Sequence, residues 1–195
     1  MTYRETTTKL NGLRGQITAI RAEMRQLQQQ IEPDEVADHV FHIENGQTSL
    51  SQLFGVHRQL VVIHNMGAGC AYCTMWADGY NGLYEHIADR AAFVLVSPDA
   101  PDKQRKFATS RGWRFPMVSD SKSEFAQAMG YAAPDGRPMP GISVFQMDGK
   151  RIQRVSDTGK GPYDDFCPAW HLFDLLPDGA AGWQPKLKYP AGHAA

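Results

Sequence analysis

Cys70 and Cys73, in GCAYCTMW, are the residues of this chain whose type and spacing most directly suggest chemistry. Separated by Ala71 and Tyr72, two such thiols can shuttle a disulfide, hold half of a metal site, or pack inertly. The chain has three cysteines, an odd count too sparse for a disulfide scaffold. Thr74 follows Cys73, so the C-x-x-C-H of c-type haem attachment is absent.

The elements around the pair decide how it would work. Residues 60–64 (LVVIH) form a continuous apolar run, which predicts a strand buried on both faces. Residues 66–69 (MGAG) make a small-residue turn, and residues 73–90 read as a helix with Trp76, Tyr80, Leu83, Tyr84 and Ile87 near one face. Cys70 then sits where a helix begins, and the free N–H groups and positive dipole end there stabilise a thiolate. Cys73 lies one turn deeper on the same face and can attack a mixed disulfide formed at Cys70. The spacing makes Cys70 the nucleophile and Cys73 the resolving thiol.

Beyond the pair, short strands alternate with helices. Residues 92–96 (AFVLV) predict a second buried strand, 101–110 a helix, 117–118 a short extended piece and 122–129 a helix. Residues 142–146 and 151–155 flank Asp148-Gly149, a hairpin signal. Upstream, residues 40–43 predict a strand closed by Asn45-Gly46, and 49–54 a short helix. The tail is rich in Pro, Gly and aromatics, with a short helix expected over 168–176. This order implies an α/β fold, a mixed central sheet flanked by helices.

An N-terminal helical arm precedes it. Leu10, Leu13, Ile17, Ile20, Met24, Leu27 and Ile31 follow steps of three and four, the spacing of a coiled-coil seam. Gly12 and Gly15 weaken its first turns, so the firm part is expected from Gln16. The arm either packs across its own domain or pairs with a second subunit, making a homodimer through residues 10–31. The expected organisation is an amphipathic helix over 1–33 and an α/β domain over 38–195 with an aromatic-rich C-terminal tail.

A formal charge of −1 argues against nucleic acid or an anionic membrane as partner. No apolar run approaches the roughly 18 residues that span a bilayer. The polar N-terminus lacks an apolar signal core, so a cytoplasmic location is expected. A metal reading would need further ligands from Cys167, His171 and His64, and no second C-x-x-C exists to supply them. Cys167 lies in an aromatic setting with Tyr163, Phe166 and Trp170, where most cysteines are inert. It becomes a third redox thiol if the tail folds over the Cys70 loop.

Three stretches carry a family likeness. FHIENGQTSLSQLFG with LVVIH, FVLVSPDAPDKQRKFATSRGWRFPMVSD, and MPGISVFQMDGKRI resemble, in order, segments of the alkyl hydroperoxide reductase and thiol-specific antioxidant group. The whole chain, with GCAYCTMWADGYNG and the tail DDFCPAWHLFDLLP, resembles a narrower family of bacterial thioredoxin-like proteins of unknown function, described as predicted dithiol–disulfide oxidoreductases. The likeness implies a thioredoxin-like fold, redox catalysis by Cys70 and Cys73 without cofactor or metal, and a protein or small-molecule disulfide or thiol as substrate. It also implies a cis-proline at Met139-Pro140, leaving the Met139 backbone free to pair with substrate, with Tyr72 and Trp76 shaping an apolar rim.

Departures are equally specific. Thioredoxin carries Trp before its first cysteine and Gly-Pro between the two, where this chain has Gly69 and Ala71-Tyr72. Peroxiredoxins carry Pro and Thr seven and three residues before the peroxidatic cysteine. Those positions hold Ile63 and Gly67 relative to Cys70, and Met66 and Cys70 relative to Cys73. A thiol-dependent peroxidase is therefore the second alternative, after the metal-binding or redox-sensing module.

Overall fold

A computed structural model describes residues 1–190, which form two compact units, Met1–Pro33 and a second beginning at Asp34. In the first unit, helix α1 spans Tyr3–Gln28. It starts well before Gln16, because Thr2 and Glu5 close a capping box. The Thr2 hydroxyl accepts the Glu5 N–H at 3.3 Å, and the Glu5 carboxylate accepts the Thr2 N–H at 2.8 Å. Two orphan donors are thereby satisfied, which offsets the cost of Gly12 and Gly15. Taken by itself, the helix buries none of its residues.

The second unit is built on strands β1 (Asp34–Val36), β2 (Val40–Ile43), β3 (Gly46–Ser49), β4 (Gln59–His64), β5 (Ala92–Ser97), β6 (Met117–Ser119), β7 (Gly141–Asp148) and β8 (Arg151–Gly159). They form one eight-stranded sheet in the order β1-β8-β7-β4-β5-β6-β2-β3. Helices α2 (Ala71–Arg90), α3 (Pro101–Arg111), α4 (Glu124–Ala128) and α5 (Pro168–Phe173) complete it. Strands β4, β5 and β6 are parallel neighbours, so each step between them needs a crossover, which α2 and α3 supply. On its other side β4 pairs antiparallel with β7, Gly141 lying opposite His64. Two edges escaped the sequence pattern: β1, which pairs with β8, and β3, which occupies part of the expected 49–54 helix and leaves a 3-10 turn at Gln52–Phe54.

Side chains alternate along β4, and each face has its own core. Leu60 and Val62 join Phe41, Leu50, Phe125 and Phe145 on one face. Val61 and Ile63 join Trp76, Tyr80, Phe93 and Trp170 on the other. Burying each of these large side chains contributes about 1.5–3 kcal/mol. Beneath α2 the second core anchors the helix that carries the cysteines. Among the described residues, no helix is long and apolar enough to cross a membrane.

Candidate functional site

β4 delivers the chain to the turn that precedes Cys70, and that turn is tied down at several points. Asn65 N–H donates to the Val96 carbonyl at 2.9 Å, and the Asn65 side chain accepts the Gly67 N–H at 2.7 Å. Ala68 N–H donates to Asp99 Oδ2 at 2.7 Å, and Lys103 pairs with the other Asp99 oxygen at 2.6 Å. Gly67 has φ +99°, and a Cβ there would stand 2.8 Å from Asp99 Oδ2. The position needs glycine for both its backbone angle and its neighbour.

Cys70 is the N-cap of α2, and its sulfur accepts the Cys73 N–H at 3.1 Å. The first turn is closed by Thr74, whose N–H and hydroxyl both donate to the Cys70 carbonyl, at 3.0 and 2.9 Å. The two thiols then diverge. Cys70, half-buried, is pushed down from 9.0 to about 6, first by the hydrogen bond from the Cys73 thiol; burial opposes this, while the Cys73 and Tyr72 N–H groups and Lys160 add to it. Cys73, buried at 2% exposure, is pushed up, first by that same hydrogen bond, then by burial and the Cys70 charge. The two sulfurs are thus pushed in opposite directions, Cys70 half-buried and lowered, Cys73 buried and raised.

Lys160, just after β8, was not singled out by the sequence and belongs to the site. It is 8% exposed, its Nζ lying 4.8 Å from the Trp76 ring centroid and 5.2 Å from that of Tyr80. Burial lowers it to about 8, against the opposing pull of Cys73, Asp164, Cys70 and Cys167. Its local context, GKG, reads as a surface loop; the aromatic residues that bury it come from distant segments.

Other expected residues are distributed as follows. Tyr72 is half-buried, its ring 6.3 Å from Trp76 and 6.2 Å from Trp170. Trp76 does not form a rim. It is 2% exposed, because its place one turn beyond Cys73 points it at the sheet. The tail does fold against α2: Trp170 is buried among Tyr72, Tyr163, Phe173 and Trp183. Cys167 is buried in the same core as Cys73, and desolvation raises its pKa.

Met139 and Pro140 precede β7 at the edge where the cysteine turn leaves β4. Their peptide bond is trans, and no cis bond occurs among the described residues. The Met139 N–H is not free either; it donates to the Tyr131 carbonyl at 2.8 Å. The further metal ligands do not converge. His64 follows Val62 onto the opposite sheet face, where it shares a 2.9 Å hydrogen bond with Ser143 and stacks on Tyr131 at 4.1 Å. His171 is exposed and faces Asp165 at 3.7 Å. Among the described residues, no three His, Cys, Asp or Glu side chains are grouped to hold a metal ion.

This frame is similar to those of known peroxiredoxins. A peroxidoxin BcpB from Mycobacterium tuberculosis superposes with TM-score 0.54 at 28% identity, over 65% of this chain and 84% of that one. Enterococcus faecalis AhpC gives TM-score 0.55 at 12% identity, over 68% and 82%. Vibrio vulnificus Prx3 in complex with hydrogen peroxide gives 0.53 at 14%, over 69% and 87%. The last two likenesses speak to the fold, which is thioredoxin-like as the family likeness of the sequence implied and α/β as its strand and helix order implied. No curated protein matches in sequence. The profile of one family covers residues 9–189, nearly the whole chain, and the chain therefore belongs to DUF899, a family of bacterial proteins of unknown function.

Proposed function

We propose that this chain is a dithiol–disulfide oxidoreductase working through Cys70 and Cys73. The observation that carries the reading is the opposed state of the two sulfurs: Cys70 accessible and lowered at a helix start, Cys73 buried and raised behind it. The Cys70 thiolate attacks one sulfur of a substrate disulfide and releases the other as a thiolate. Cys73 then attacks the Cys70 sulfur, closes the Cys70–Cys73 disulfide and releases the second substrate thiol. Tyr72 flanks the approach, and Met139 and Pro140 form the neighbouring edge. A protein or small-molecule disulfide in a reducing cytoplasm is the substrate class, and the α1 seam pairs two copies.

Mixed-disulfide trapping tests the roles. Cys73→Ser incubated with cell extract should retain covalent partners at Cys70, whereas Cys70→Ser should retain far fewer. Equal capture by both variants contradicts the assignment. For the α1 seam, a chain lacking residues 1–33 should have a smaller assembly mass by sedimentation, and an unchanged number of subunits rules the pairing out.

A thiol peroxidase is the second reading, favoured by the 28% identity to a peroxidoxin. Against it, Ile63 and Gly67 occupy the positions of the peroxiredoxin Pro and Thr. Hydrogen peroxide consumed catalytically with a dithiol reductant, with no turnover of disulfides, would favour the peroxidase over the oxidoreductase.

A further inference from the structure

A buried lysine ordinarily has an ion-pair or hydrogen-bond partner at its ammonium, because an unpaired charge is costly away from water. Lys160 has neither among the described residues. Its backbone N–H donates to the Pro140 carbonyl at 3.1 Å, which fixes the residue beside β7. Its Nζ rests over the faces of Trp76 and Tyr80, 4.8 and 5.2 Å from their centroids. Such faces attract a cation but do not neutralise it. The titratable groups around it are Cys70, Cys73 and Tyr80 from α2 and Asp164 and Cys167 from the segment after β8, while His64 feels its charge from β4. Three sulfurs and one carboxylate thus share a single buried cation.

The two half-reactions place different demands on this arrangement. In the first, negative charge sits on Cys70, which is held first by the hydrogen bond from the Cys73 thiol, then by the N–H groups of Cys73 and Tyr72 at the helix start, with Lys160 contributing least. In the second, Cys70 is part of a mixed disulfide and carries no charge, and the attacking charge must form on buried Cys73. There the groups that favour a thiolate are the Met66 N–H and Lys160.

Resting on the oxidoreductase reading, we propose that Lys160 is the internal cation of the dithiol and holds the negative charge of Cys73 while Cys73 resolves the mixed disulfide. Cys73 gives up its proton, its sulfur bonds to the Cys70 sulfur, and the bond from Cys70 to the substrate sulfur breaks. The departing substrate thiolate takes up a proton. Over both steps the dithiol loses two electrons and the substrate disulfide gains them, so no further oxidant is required. Lys160 acts through Cys73 and need not touch the substrate, which makes it a positioning residue.

The test separates the two steps. Reduced protein is mixed with a chromogenic aryl disulfide, and release of the first and second coloured thiolates is followed by stopped flow. Lys160→Met should slow the second release about tenfold or more, the effect of one unit in thiolate pKa, and the first by less than about threefold. Its second-release pH profile should move to higher pH, and Lys160→Arg should restore most of the rate. A second release within about twofold of the unsubstituted chain, or equal slowing of both releases, overturns the proposal. An unsubstituted chain that never releases a second equivalent instead sinks the oxidoreductase reading, and this proposal with it.

A further measurement needs no variant to fold. In the unsubstituted chain, the Lys160 ammonium should titrate at lower pH in the Cys70–Cys73 disulfide form than in the dithiol form, as followed by NMR, because oxidation removes the thiolate charge that supports it. Equal midpoints in the two forms overturn the coupling.

Discussion

Where β4 ends, the sheet keeps a buried base on each face, and the two could hardly be treated more differently. On one face His64 shares a hydrogen bond with Ser143 at 2.9 Å and is stacked against Tyr131 and Phe125. Burial, then the positive charges of Lys160 and Arg154, push it down to about 3, so it stays neutral. On the other face Lys160 is also buried, but its Nζ has aromatic faces beside it and the sulfurs and the Asp164 carboxylate only as neighbouring charges, with no hydrogen-bond or ion-pair partner among the described residues. Both groups are strongly perturbed, yet one is saturated by its neighbours and the other is left with charge to offer. Burial shifts a group; incomplete satisfaction is what leaves it available to a reaction.

The largest effect should come from forcing charge into the saturated face. The folded pKa of His64, about 3, lies below its unfolded value of 6.5, so the unfolded chain binds the extra proton between them. Its contribution is fully present above pH 6.5 and is lost as pH falls through that window, up to on the order of 5 kcal/mol. His64→Gln should flatten the fall of the urea midpoint between about pH 7 and about pH 4. An unchanged slope would mean that acid sensitivity arises elsewhere. On the thiol face the next largest loss is structural. Trp76→Ala should cost about 4 kcal/mol in urea unfolding. Trp76→Phe should cost much less, since it keeps a ring under Lys160 and removes an indole N–H that is buried without a hydrogen-bond partner.

The thiol face was also the more legible of the two in sequence. A C-x-x-C pair, a buried strand before it and a helical period after it are local patterns, and each appears where it was read. Edge strands β1 and β3 are too short to show a period, and their pairing partners are remote. Lys160 was invisible for a related reason: the rings over which it lies are on α2, about half the chain away, so nothing near GKG marks it as buried. Trp76 was legible as aromatic but not as floor rather than rim, because that depends on which way α2 rolls on the sheet. The trans Met139–Pro140 bond marks the limit of a borrowed expectation. There the Met139 N–H is already paired with Tyr131, a local contact that the family likeness did not contain.

Gly141 gives a way to perturb one face and spare the other. It pairs with His64 across β4 and β7, and a Cβ there would fall 1.8 Å from Tyr131 Cε1, inside the ring. Tyr131 is itself held, its hydroxyl donating to the Ile142 carbonyl at 3.1 Å, so it cannot swing away freely. Gly141→Ala should therefore cost about 2 kcal/mol of stability through overpacking. The rate at which iodoacetamide alkylates Cys70 in the folded protein should stay unchanged. A large change in that rate would show that the two faces are coupled through the β7 edge.

The smallest effect is the stability contributed by Cys70 itself. Its folded pKa, about 6, lies below the 9.0 of an ordinary thiol, so in that window the unfolded chain holds a proton that the folded chain has lost. Stability of the reduced protein should rise with pH through the window, be fully present above it, and be lost as pH falls toward 6. Cys73 has the opposite sense, but its pKa is raised above 9.0, so its contribution begins to fade only beyond that pH. Lys160, lowered from 10.5 to about 8, adds a rise of the same sign as Cys70, but only above about pH 8. Between about pH 6 and about pH 8, Cys70 therefore acts without either of its neighbours. The rise in urea midpoint should be modest, because solvent screens a half-buried sulfur, and Cys70→Ser should abolish it. If Cys70→Ser keeps the slope, a group other than Cys70 sets the pH dependence in this window. If the slope vanishes while His64→Gln alters only the acid limb, the two faces titrate independently although they share one strand.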